Sequence, residues 1–264
     1  MNEIASTLSL WQWGLLTLGA LAGGAVNALA GGGTLITFPL LTAVGVPPVA
    51  ANVTNTVALC PGYLAGTFAQ ARDLRGQRRR LGWAIPLGVL GGIAGGMLLL
   101  GAGERLFRGM VPYLILFAVG LLAVQEPLRR RLAGRVTRLG FAGGHEARAA
   151  LFLLPAALYC GYFGAGAGIM ILAALGLALD DSITRLNALK QTISLVSNVA
   201  AGVFFAFSGE TVWGVAALMA VGALVGGALG GRWAGRIRPS ALRGIVIFVG
   251  IVIAGFFLFQ DAGS

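Results

Sequence analysis

ITRLNALKQTISLVSNVAAGVFFA, residues 183–206, reads as a buried apolar helix with a lysine set inside it, Arg185 falling at its connector end. Lys190 is the only lysine among 264 residues, and the eighteen arginines fall in or beside short polar connectors. A charge at the centre of a bilayer costs from about 3 to 17 kcal/mol, so something anionic is expected to meet this one. A helix starting near Ser182 and rising about 1.5 Å per residue carries Lys190 roughly 12 Å inward, near the middle of a ~30 Å apolar slab. At 100° per residue, Asn187, Lys190, Gln191, Ser194 and Asn198 share a sector of about 100°. The stretch therefore predicts one polar wall inside a membrane span.

The composition agrees with that setting. Hydrophobic residues are 57% and charged ones 11% of the chain, against about 25% charge in a soluble domain, and mean hydropathy is +0.86. Apolar segments recur at 10–31, 34–45, 49–70, 81–101, 107–125, 148–165, 167–179, 183–207, 211–231 and 241–260. Most are long enough to span, whereas 34–45 and 167–179 are too short to cross untilted, which leaves open whether they cross or re-enter. The expected class is an all-α polytopic membrane protein. Gly14 to Val26 followed by Ala28-Leu29-Ala30 resembles a cleavable leader. Residues 1–10 hold Glu3 and no cation, however, and the segment has a mid-chain counterpart from Ala149, so a permanent helix is expected.

Shifting the chain on itself by 135 residues aligns Gly33 with Gly168, Asn52 with Asn187, Asn55 with Lys190 and Thr56 with Gln191. A shift of 131 aligns Gly91 with Gly222 and Gly95-Gly96 with Gly226-Gly227. The chain thus divides into a first five-segment repeat, 1–125, a basic linker, 126–147, and a second repeat, 148–264. Connector 72–80 holds five arginines, while its partner Ser208-Gly209-Glu210 has no cation and one acid. The arginine bias puts 72–80, the linker and 232–243 in the cytoplasm and both termini outside. An odd number of crossings per repeat then makes the second an inverted copy of the first, as in many secondary transporters.

Gly31-Gly32-Gly33-Thr34 and Gly164-Ala165-Gly166-Ala167-Gly168 each separate a long apolar segment from a short one, which predicts two broken helices meeting near the membrane midplane. The amides opening each half-helix, at Gly33-Thr34 and Gly168-Ile169, face the positive end of the macrodipole and make an anion site. Asn52, Asn55, Thr56, Asn187 and Gln191 are expected to complete the shell around Lys190. The nine acids all fall at segment ends or connectors, so the cavity is electropositive and favours an anion over a metal cation. Asp180 and Asp181 are read as caps of the helix carrying Lys190. The other glycines, Gly91 to Gly96 and Gly222 to Gly231, have the four-residue spacing of close helix contacts.

Other classes fit poorly. Cys60 and Cys160 lie in apolar runs without metal or redox spacing, His145 lies in the linker, and no Ser/His/Asp or paired-carboxylate set supports an enzyme. The net charge of +10 follows membrane topology, with no basic stripe interleaved with aromatics for nucleic acid. No metal or cofactor is expected.

Gly31-Gly32-Gly33 followed by Pro39, Gly45 and the Ala51-Asn52-Val53-Thr54-Asn55-Thr56 run, echoed by Gly164 to Gly168 and Asn187 to Gln191, resembles the TauE/SafE sulfite exporter family, also called TSUP. The similarity covers nearly the whole chain. It implies a bacterial inner-membrane carrier for small sulfur-containing anions: sulfite, thiosulfate, sulfoacetate or related sulfonates. The partners implied are a small inorganic or organosulfur anion and the lipid bilayer. An anion channel with the same electropositive lining is the rival reading, and the oligomeric state stays open.

Overall fold

A computed structural model describes residues 2–30, 32–135, 145–179, 181–233 and 239–262. Gly31, Asp180 and the middle of the linker, 136–144, lie outside the described residues. Among those described, every regular element is helical: α1 (Asn2–Thr7), α2 (Leu10–Ala30), α3 (Thr34–Ala43), α4 (Pro48–Ala69), a 3-10 turn (Ala71–Leu74), α5 (Arg78–Arg135), α6 (His145–Tyr162), α7 (Ala167–Ala178), α8 (Ile183–Ala206), α9 (Trp213–Trp233) and α10 (Pro239–Ala262).

The segment boundaries read from hydropathy match these helices to within a few residues, with three differences. A short α1 precedes the first span. The segments 81–101 and 107–125 form one continuous helical stretch whose single break is Gly103, at φ 71° and ψ 170°. Only glycine adopts that backbone without strain, so α5 is two arms, 78–102 and 104–135. The second arm also runs through the first ten residues of the expected linker, because Leu, Arg and Ala there are strong helix formers and Arg130 Nε donates to Glu126 one turn back (3.2 Å).

At about 1.5 Å per residue α3 and α7, ten and twelve residues long, reach only about 15 and 18 Å. They are half-helices, each entered through a glycine break, while α8 and α9 and the long α5 are apolar and long enough to cross a bilayer. Two helix pairs pack most extensively: α2 lies on α9, and α6 lies on the first arm of α5. Glycines permit both crossings. A Cβ on Gly95 would overlap the carbonyl of Leu158, as one on Gly226 would overlap that of Leu21; Gly161 meets Gly92 O as Gly24 meets Ala223 O. Small residues let backbones approach where no hydrophobic force draws helices together in lipid. The four-residue glycine spacing therefore serves packing, as read from the sequence.

Between these pairs, α4 and α8 cross at the centre. The core beside them holds a cluster of edge-to-face rings: Phe38 on α3 lies 5.3 Å from Phe163 at the second break, and both approach Phe107 on the second arm of α5 (6.4 and 6.2 Å). These rings pin the half-helix of the first unit onto the break of the second.

Candidate anion site at the second glycine break

The second break is built by two left-handed glycines and one tyrosine. Gly164 (φ 78°) and Gly166 (φ 74°) turn the chain between α6 and α7. Tyr159 donates its hydroxyl to Ala165 O (2.8 Å), so the loop is stapled to the last turn of α6. Sequence reading missed this residue; the signal for it was a tyrosine in an apolar segment five residues before a glycine run, whose hydroxyl needs a buried partner. Tyr159→Phe is expected to lower stability by roughly 1–3 kcal/mol, since the carbonyl of buried Ala165 loses its donor; thermal unfolding in detergent measures it.

At the start of α7, Ala167 N donates to Gly164 O (3.1 Å) and Ile169 N to Gly166 O (2.9 Å). The Ile169 amide is thus taken up in a tight first turn. Lys190 reaches this end. A Cβ built on Gly168 would lie 3.6 Å from Lys190 Cδ and 4.0 Å from Nζ, so the ammonium stands beside the positive end of α7. Two like partial charges converge here on a half-buried spot, which suits an anion between them.

Asn52 closes the same break from the other unit, donating Nδ2 to Tyr162 O (2.8 Å) at the end of α6. Asn52 and Asn55 are 0% and 1% exposed, and the Oδ1 of each is buried without a hydrogen-bond partner, as are the hydroxyls of Ser194 and Ser197. The Thr56 hydroxyl donates to Asn52 O within its own helix (2.9 Å). Gln191 lies against Gly66 of α4, and Thr67 Oγ1 donates to Gln191 O at 3.5 Å. The polar faces of α4 and α8 are therefore closed on each other. Two cavities among the described residues, of about 790 and 650 Å³, one under α3 and α10 and one at the bend of α5, are lined by none of the expected site residues.

Two expected groups sit apart. Asn187 donates Nδ2 to Gln70 Oε1 (2.7 Å), which turns its amide toward the end of α4. Gly33 and Thr34 open α3 at the first break, where Thr37 N and Oγ1 both donate to Gly33 O (3.1 Å each) and a Cβ on Gly33 would overlap Gly23 O. The cap of α8 also differs from expectation: Ser182 is the N-cap, with its hydroxyl accepting from Arg185 N (3.4 Å). Asp181 precedes the cap position and is engaged instead by Arg80 and by Arg185 Nε (3.0 Å). Burial opposes ionisation of Asp181, but hydrogen bonds from Arg80, Arg185 and the Ser182 amide outweigh it and hold the carboxyl below its usual range. Because the folded value is lowered, the interaction is present at neutral pH and is lost only as pH falls through that lowered value.

A family model described as sulfite exporter TauE/SafE matches residues 15–257. The chain is 25% identical over 259 residues to the probable membrane transporter protein YfcA of Escherichia coli K12, covering 95% of this chain and 91% of that protein. It is 28% identical over 238 residues to a probable membrane transporter protein of Haemophilus influenzae (89% and 90% covered). With the probable membrane transporter protein ORF9 of a Sinorhizobium species it shares 26% over 245 residues (90% and 89%). No solved structure matches the chain significantly.

Proposed function

The chain belongs to the sulfite exporter TauE/SafE family of membrane transporters, and from that premise we propose that it exports a small sulfur-containing oxyanion, such as sulfite, thiosulfate or sulfoacetate, across the bacterial inner membrane. The observation that carries this reading is the Lys190 ammonium beside Gly168 at the start of α7. Lys190 supplies charge and the Gly168 amide donates to an oxyanion oxygen. Asn55 reaches it from α4 by turning its amide so that Nδ2 faces the anion, a rotation that exchanges two ends of nearly equal shape, while Asn52, its Nδ2 held by Tyr162 O, fixes the end of α6 beside the site. Gln191 covers it from the other side.

The two five-helix units, inverted relative to each other, rock about the α4–α8 crossing and expose the site to one side at a time. Closure of α4 on α8 at Gly66 and Gln191 supports a carrier over a permanently open pore. A divalent anion leaving a cell gains about 4.6 kcal/mol per 100 mV, from about 2.3 per charge, which is sufficient to drive export without a coupled ion.

Reconstituted protein is expected to catalyse saturable counterflow of labelled sulfite, with thiosulfate and sulfoacetate competing. Single-channel currents in a planar bilayer, or an absence of competition by any of the three, would refute this reading.

A further inference from the structure

The α4–α8 crossing is held by charge at one end and by neutral groups at the other. At the arginine-rich end, Asp181 in the α7–α8 connector accepts from Arg80 at the start of α5 and from Arg185 on α8 (3.0 Å). Arg185 Nη1 donates across to Arg75 O (3.1 Å), and Gln77 Nε2 donates to Arg185 O (3.2 Å). Arg75, Gln77 and Arg80 belong to the connector region of the first unit, Asp181 and Arg185 to the second, so these bonds tie the two units together. At the opposite end the corresponding tie from α4 is a buried neutral bond, Val212 N to Thr54 Oγ1 (3.0 Å).

The charged end is the easier one to release. The Arg80, Asp181 and Arg185 side chains are 24%, 16% and 35% exposed, so water reaches each of them when the bridge parts. Arg185 also precedes Lys190 by five residues on the same helix, so the bridge holds the first turns of α8, on which the proposed anion site is built. We propose that Asp181, by bridging Arg80 and Arg185, is a positioning residue that locks the cytoplasmic gate of the anion site. The proposal rests on the alternating-access reading and on arginine-rich connectors facing the cytoplasm.

The test reads gate opening without any substrate. Thr67→Cys, facing Gln191 O just inside the lock, is placed in a Cys60→Ala, Cys160→Ala background and labelled with an impermeant maleimide in inside-out and right-side-out vesicles. Asp181→Asn is expected to raise the cytoplasmic-side labelling rate about tenfold, and Arg80→Gln to raise it in the same direction. Asp181→Glu, which keeps the charge, and Arg78→Gln, which removes a cation of the same connector outside the bridge, are expected to match the parent. An unchanged rate in both Asp181→Asn and Arg80→Gln protein that melts like the parent would overturn the proposal. So would an equal rise in Asp181→Glu or Arg78→Gln, or a rise confined to the opposite face. Failure of the transport reading shows separately, as a parent whose labelling responds as expected but which moves no anion in the counterflow assay.

Discussion

Lys190→Gln is expected to reduce kcat/KM for a divalent oxyanion by 100-fold or more while the protein is made and folded in normal yield. Removing one member of a desolvated charge pair costs about 3–5 kcal/mol, and each 1.4 kcal/mol is about tenfold. Glutamine keeps most of the length and polarity of the side chain beside Gly168, so the loss reports charge and not packing. The Gly168 amide and the dipole of α7 remain, which leaves a residual affinity greater for monovalent than for divalent solutes relative to the parent. Initial rates of counterflow into liposomes, with a divalent and a monovalent anion compared in parent and variant, measure the difference. A variant that moves the divalent anion as fast as the parent removes Lys190 from the site.

Gly92→Val is expected to destabilise the fold by more than about 3 kcal/mol, enough to lower the melting temperature by roughly 10 °C. Three helices converge on this residue: a Cβ here would overlap the Ser197 carbonyl of α8, and the backbone of Gly161 on α6 already lies against Gly92 O. The Ser197 obstacle is backbone, which cannot rotate away as a side-chain tip can, and α6 packed against the same residue leaves little room to shift, so the helices themselves must separate. That loss matters against a total stability of about 5–15 kcal/mol. Gly101→Leu, on the same helix with nothing within 4 Å of its added Cβ, is the control and is expected to change stability by less than about 1 kcal/mol. Thermal unfolding of the two proteins in the same detergent decides between packing and mere composition.

Much of the architecture was open to reading along the chain because hydropathy and glycine act locally. The bounds of α2, α4, α7, α8 and α9 follow from where apolar runs meet polar or glycine residues, and the breaks before α3 and α7 follow from the Gly-rich runs. Lys190 next to Gly168 was also foreseeable, since the half-helix that opens with Gly168 is joined to α8 by a short connector and folds back along it. The partners of the other polar groups were not. Helical periodicity assigns Asn187 to the face of Lys190, yet its amide meets Gln70 from the first unit. Likewise the engagement of the Ile169 amide turned on whether the first turn of α7 was tight, and Asp181 lost the capping role because two arginines surround it.

Sequence by itself determined that this chain is an all-helical membrane protein with two glycine-broken segments and one lysine set into an apolar helix, because length, hydropathy and backbone freedom are properties of neighbours in the chain. Only the tertiary structure decided that α2 lies on α9 and α6 on the first arm of α5, that α4 and α8 meet at Gly66 and Gln191, and that Asp181 ties Arg80 to Arg185. Those outcomes depend on which surfaces approach through space, where a carbonyl opposite a glycine or an arginine opposite an acid is supplied by a segment a hundred residues away.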